Sequence, residues 1–184
     1  MTHLSPEALE AGLPEIRRSP SDHGRLELIV LRPAVDEREL VDEATLDQVE
    51  GLVGDTWRAR ADAVGNSAEN VDRQVTVMNA RVAGLVASDP DRRPLAGDQL
   101  YVDYDLSIDH LPPGSHLAIG ETVLEISEHP HTGCAKFSAR FGTDALRFVN
   151  SKEGRQLRLR GVNTRVVVPG VVRVGDAVRK VVDP

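Results

Sequence analysis

Short valine-rich runs, each closed by a tight turn, fill the carboxy-terminal part of the chain and restrict it to antiparallel strands. Pro112-Pro113-Gly114 precedes His116–Ile119, and Gly120-Glu121 reverses the chain into Thr122–Ser127. Pro169-Gly170 joins Arg165–Val168 to Val171–Val174, and Gly175-Asp176 leads into Ala177–Val181. Runs of this length are too short to hold a helix alone. The turns between them are too short for the crossover that parallel neighbours need. Further strands are expected at Leu26–Leu31, Val75–Met78, Gln99–Tyr104 and Leu157–Arg160.

Helical spacing is rarer. Asp36–Glu50, with Leu40, Val41, Ala44, Leu46 and Val49, reads as a loose acidic helix. Asn79–Ala87 reads as a short helix behind a strand, and Thr143–Asn150 as another between Gly142 and Gly154. Many short strands with two or three short helices predict a mainly β fold, a mostly antiparallel, closed or half-closed β-barrel with helical decorations. The 184 residues suit a single domain. Residues 1–23 read as a polar extension with a helical turn at Pro6–Ala11, and 24–184 as the barrel domain. Two long loops are expected, at Arg58–Asn70 and Ser88–Gly97.

The net charge of −7 argues against general nucleic-acid binding, and 3% aromatic residues leave little for base stacking. The charge is unevenly spread. Residues 1–133 carry 11 basic and 25 acidic side chains, a net of −14. Residues 134–165 carry eight basic side chains and two acidic ones, a net of +6. No apolar run is long enough to cross a bilayer and no export signal is visible, so a cytoplasmic location is expected, with no membrane partner.

The cationic window opens at the one cysteine, Cys134, which leaves no intramolecular disulfide to form. In His129–Gly142 (HPHTGCAKFSARFG) two imidazoles and a thiol lie within six residues. Pro130 and Gly133 impose a loop, and Gly133 is read as letting backbone approach a ligand. Lys136 and Arg140 follow, placing the thiol in positive potential, the setting of a reactive cysteine. Four readings stand side by side: a zinc site from His129, His131 and Cys134, a thiolate nucleophile with a histidine base, a thiolate meeting a cofactor's metal or carrying sulfur, and a buried structural cysteine. Gly51-Leu52-Val53-Gly54-Asp55 suggests backbone at positive φ, with Asp55 free to orient a basic partner. Asp103, Asp105 and Asp109 read as solvated strand-end carboxylates rather than a cation site.

Taken in order, these segments resemble the MOSC domain family, named for the C-terminal domain of molybdenum-cofactor sulfurase. The matching stretches are LELIVLRP (Leu26–Pro33), GLVGD (Gly51–Asp55), RQVTVMN (Arg73–Asn79), AGDQLYVDYDL (Ala96–Leu106), LPPGSHLAIGETVLEISE (Leu111–Glu128) and GCAKFSARFG (Gly133–Gly142). The resemblance implies an antiparallel barrel with the cysteine at a pocket mouth. It also implies the molybdenum cofactor (molybdopterin), with Cys134 as molybdenum ligand or sulfur carrier, and reduction of N-hydroxylated compounds or sulfur transfer. A pyridoxal phosphate association exists at family level only. Lys136, Arg140, Arg73, Asp55 and His131 are the implied cofactor-binding residues. Here Gly133 stands where some relatives have proline. No ferredoxin-type cysteines and no aminotransferase-like domain are present, so electrons or sulfur would come from another protein. The alternative is a non-catalytic module of the same fold that binds a small anionic ligand or a partner protein.

Overall fold

The computed structural model describes residues 3–63 and 71–182. In chain order its elements are α1 (Pro6–Ala11), α2 (Leu13–Ile16), β1 (Gly24–Leu31), β2 (Glu39–Val41), β3 (Glu43–Asp47), β4 (Gly51–Leu52), α3 (Trp57–Ala63), β5 (Val75–Asn79), α4 (Ala80–Ala87) and β6 (Leu100–Asp103). There follow β7 (His116–Ile119), β8 (Thr122–Ile126), α5 (Ala135–Phe141), α6 (Thr143–Asn150), α7 (Lys152–Gln156), β9 (Val162–Val168), β10 (Gly170–Arg173) and β11 (Ala177–Val181).

Seven strands close a barrel in the order β1-β11-β7-β8-β9-β5-β6, sealed where β6 returns to β1, and β2 extends β1 outside the ring. Only β5–β6 is parallel, and its crossover is supplied by α4 and the 3-10 turn Pro90–Ala96. Strands β10, β3 and β4 form a small second sheet.

The two-residue period of a strand explains why β5 is buried throughout. Val75 and Val77 face the barrel interior, whereas Met78 faces a second core beneath α4 and α5. The same division places Leu26 and Ile29 of β1 inside the barrel, with Val30 outside it, and Leu100 and Val102 of β6 inside, with Tyr101 outside. Leu9 and Ile16 join this outer core, so the segment read as a polar extension packs two apolar side chains against the domain.

Three expectations change. Asp36–Glu50 is not a helix but the strands β2 and β3. Its apolar spacing misleads because Leu40 is 58% exposed and Val49 56%, while Leu46 alone of that set is fully buried. Leu157–Arg160 is a turn with Arg158 at φ +49°, and β9 begins only after Gly161. Of the loop expected at Arg58–Asn70, residues up to Ala63 belong to α3, and 64–70 lie outside the described residues.

Candidate functional site

The chain leaves β8 at Ile126 and crosses one end of the barrel before α5 starts. The Ser127 backbone N–H donates to Asn163 O at 2.9 Å, and Asn163 Nδ2 donates to His129 O at 3.1 Å. Asn150 of α6 grips Gly133 on both sides: its Oδ1 accepts from Gly133 N at 2.9 Å and its Nδ2 donates to Gly133 O at 3.2 Å. A Cβ at Gly133 would lie 2.7 Å from Leu146 Cδ1 and 3.1 Å from Val149 Cγ2. Glycine thus lets this loop pack closely on α6, since a Cβ would make Leu146 and Val149 shift. Cys134, one residue on, precedes α5 and is exposed, so the buried-cysteine reading falls.

Cys134 opens on a cavity of about 180 Å³ whose cations are Arg32, Arg38, Arg60, Lys136, Arg140 and Arg160. Arg32 is fixed by Asp55, its Nε donating to Oδ2 at 2.7 Å and Nη2 to Oδ1 at 2.8 Å, while Nη1 donates to Gly97 O at 3.0 Å. The Asp55 side chain is fully buried and also accepts from Trp57 N at 2.8 Å, so it positions Arg32 rather than reaching the cavity. Its loop has the backbone its glycines implied: Gly51 at φ +72° and Gly54 at φ +89°. Arg140 Nη1 donates to Leu95 O at 2.9 Å, and its Nη2 shares Asp36 Oδ1 with Lys136 Nζ, at 2.9 and 3.3 Å. The Asp36 carboxyl is held below its ordinary pKa, first by the hydrogen bond from Lys136.

Arg38 differs from these. Its one hydrogen bond among the described residues runs to the Glu37 backbone carbonyl, no carboxylate lies within ion-pair distance, and its buried Nε has no partner. Burial, then the nearby Arg140 and Arg32, push its pKa down from the usual guanidinium range. A cation crowded by Arg140 and Arg32, with Asp36 the weakest of the charges acting on it and no direct ion pair, marks where an anion is stabilised.

Behind the thiol lies a buried charged group. Arg160 Nη1 donates to Asp98 Oδ2, Nη2 donates to Ala96 O at 2.9 Å, and the guanidinium sits 5.2 Å from the Phe137 ring centroid. The other Asp98 oxygen is 3.4 Å from His131 Nδ1, and both atoms lack a hydrogen bond. Burial, then Arg160, lowers the His131 pKa from 6.5 to about 4, so its ring is neutral at pH 7. His131 lines a second cavity of about 300 Å³, shared with Arg160.

Other sequence-nominated residues go elsewhere. Arg73 is exposed in the turn Val71–Arg73 and lines neither cavity. Among the described residues no group of three His, Cys, Asp or Glu side chains is placed to hold a metal, so His129, His131 and Cys134 do not form the zinc arrangement. Asp103 holds Arg81 bidentately, Asp105 accepts from Ser107 N, and Asp109 accepts from Gln156, which accounts for all three as structural acceptors. Of the eight cations in 134–165 only Lys136, Arg140 and Arg160 reach the cysteine cavity. Arg32, Arg38 and Arg60 come from the acidic part of the chain, where total charge hides them. The signal for Arg32 was present, in LELIVLRP, but nothing in a single sequence marks Arg38 or Arg60.

A closed seven-stranded barrel that presents one exposed thiol beside an arginine-lined cavity defines the class of protein. A family profile described as the MOSC domain matches residues 67–179, and the chain belongs to that family. Solved structures share the fold. The YuaD protein from Bacillus subtilis aligns with TM-score 0.61 at 16% identity, over 84% of this chain and 93% of that one. YiiM from Escherichia coli aligns with TM-score 0.56 at 19% identity, over 87% and 71% of the two chains. YiiM from Geobacillus stearothermophilus aligns with TM-score 0.59 at 13% identity, over 86% and 75%. No curated protein matches the chain. Among the described residues no helix is long and apolar enough to cross a membrane.

Proposed function

We propose that this protein binds the phosphorylated molybdenum-pterin cofactor and that Cys134 is the thiolate meeting its metal. The observation that carries the reading is the exposed Cys134 on one cavity with six cations, one of which, Arg38, makes no ion pair among the described residues. The donor set fits such a group. Guanidinium forks grip phosphate oxygens bidentately, and a soft thiolate suits the metal of such a cofactor. The cavity is small beside ligand pockets of about 300–1,000 Å³. It therefore suits an anionic head and leaves the rest of a pterin at the mouth.

Arg38 and Arg140 bind the anion, and Arg32, locked on Asp55, holds its charge at a fixed position. Preorganised charge of this kind avoids reorganisation on binding. When bound, the cofactor supplies two-electron redox chemistry at its metal, which suits reduction of N-hydroxylated compounds with electrons from an external donor protein. Lys136 and Arg140 close the mouth through Asp36, a carboxylate that the incoming anion replaces.

Elemental analysis of protein from a cofactor-making host tests this. Close to one molybdenum per chain is expected, reduced at least tenfold in an Arg38→Ala, Arg140→Ala double variant, with reductase activity abolished by Cys134→Ser. Metal-free wild-type protein with an unreactive thiol would instead indicate the non-catalytic binding module.

A further inference from the structure

The second cavity has a composition unlike the first. It lies between residues 127–132 and the stretch from Gly154 to Asn163, and Arg160 lines both it and the cysteine cavity. Its polar wall is His129, His131, Asn163, Arg155 and Arg158. Its apolar wall comes from Ile108, Pro113, Pro130, Val149 and Val162.

The available charge differs as well. Arg158 is spent on the backbone carbonyls of Leu106 and Leu111, and burial lowers its pKa. Arg160 is spent on Asp98 and Ala96 O. His131 is neutral at pH 7. His129 stands 3.7 Å from Asp72, and Glu128 is the carboxylate at the rim. Arg155 and Arg158 both lack an ion-pair partner among the described residues, but Arg158 is turned onto backbone carbonyls, whereas Arg155 is exposed at the cavity and has no acceptor there. One guanidinium free of any acceptor, Arg155, beside an apolar wall suits the carboxylate of an organic anion, whereas the cysteine cavity suits a multiply charged phosphate.

We propose that this second cavity is a separate ligand site for small carboxylate-bearing organic molecules with an apolar body. The carboxylate pairs with Arg155, the apolar body lies against Ile108, Pro113 and Val162, and His131 and Asn163 hydrogen-bond its polar substituents. Arg160 is common to both walls, so the site adjoins the cysteine cavity, and its role of holding a substrate's carboxylate rests on the cofactor reading of that cavity.

Benzoate and inorganic phosphate as separate probes test this, with histidine-ring NMR reporting on the former and phosphorus NMR on the latter. Benzoate is expected to move the His129 and His131 signals while leaving His3, His23, His110 and His116 unmoved. Arg155→Ala is expected to weaken benzoate about tenfold, the effect of losing one charge-assisted hydrogen bond, and to leave phosphate unchanged. Arg38→Ala is expected to do the reverse. No movement with benzoate at tens of millimolar overturns the proposal, as does benzoate binding that Arg155→Ala spares or Arg38→Ala removes. Wild-type protein that binds benzoate but neither phosphate nor molybdenum would instead sink the cofactor reading alone.

Discussion

His131 and Asp98 approach to 3.4 Å without a hydrogen bond, and the reason is the company they keep. Arg160 already neutralises Asp98, so protonating the imidazole would bring a second cation into a space where only 17% of its side chain meets solvent. The cost of refusing that proton appears in stability. An unfolded His131 takes up its proton near 6.5, while the folded one waits until about 4. Between those values the unfolded chain binds more protons, so stability falls as pH drops through the window. His131→Gln keeps a polar side chain without that titration. Its urea midpoint is expected to depend less on pH between 6.5 and 4 than the wild-type midpoint does, and parallel curves would refute the assignment. Asp98 shows what one sequence withholds: AGDQLYVDYDL places it before a strand, but not beneath a histidine 33 positions further on.

Among the elements, α6 does more for the cysteine than its sequence suggests. Its amphipathic pattern was legible from Ala145 and Val149, which are buried, but Asn150 gave no hint that its amide would bracket Gly133. The barrel strands were legible for a related reason: turn dipeptides and β-branched runs act locally, so β7, β8, β10 and β11 emerge close to their predicted bounds. The strands β2 and β3 were not, because Leu40 is exposed, Val41 and Ala44 are half-buried and only Leu46 is fully buried, so no clear alternation marks them. The contact between Gly133 and α6 supports a prediction. Gly133→Ala lowers the entropy of the unfolded chain, a gain of about 0.4–1 kcal/mol. Against it stands a Cβ 2.7 Å from Leu146 Cδ1, an overpacking cost of about 1–3 kcal/mol. Net destabilisation is therefore expected in denaturant titrations. Leu146→Ala in the same chain should return part of it, a favourable coupling that a double-mutant cycle measures. Purely additive effects would mean that Leu146 is not the obstacle.

Across the whole molecule, the cysteine cavity gathers segments far apart in sequence. Arg32 and Arg38 flank the β1–β2 connection, Arg60 lies on α3, Lys136 and Arg140 on α5, and Arg160 precedes β9. Six like charges on four segments repel, and Asp36, Asp55 and Asp98 offset only part of that. A bound anion therefore relieves repulsion and ties the four segments together, so phosphate acts as a stabiliser of the native state. At a hundredfold excess over its Kd a ligand adds about 2.7 kcal/mol. In a chain of this size each kcal/mol raises Tm by about 2–4 °C, so a rise of about 5–10 °C is expected. Matched ionic strength from sodium chloride separates binding from screening, since chloride weakens repulsion between exposed charges without bridging guanidinium groups. Calorimetry should show the full rise for wild type and for Cys134→Ser, whose thiol is not part of the anion grip. Arg38→Ala should lose most of it, because its buried Nε has no partner and it makes no ion pair among the described residues. An equal rise in sodium chloride, or in Arg38→Ala, would remove the cavity as its cause.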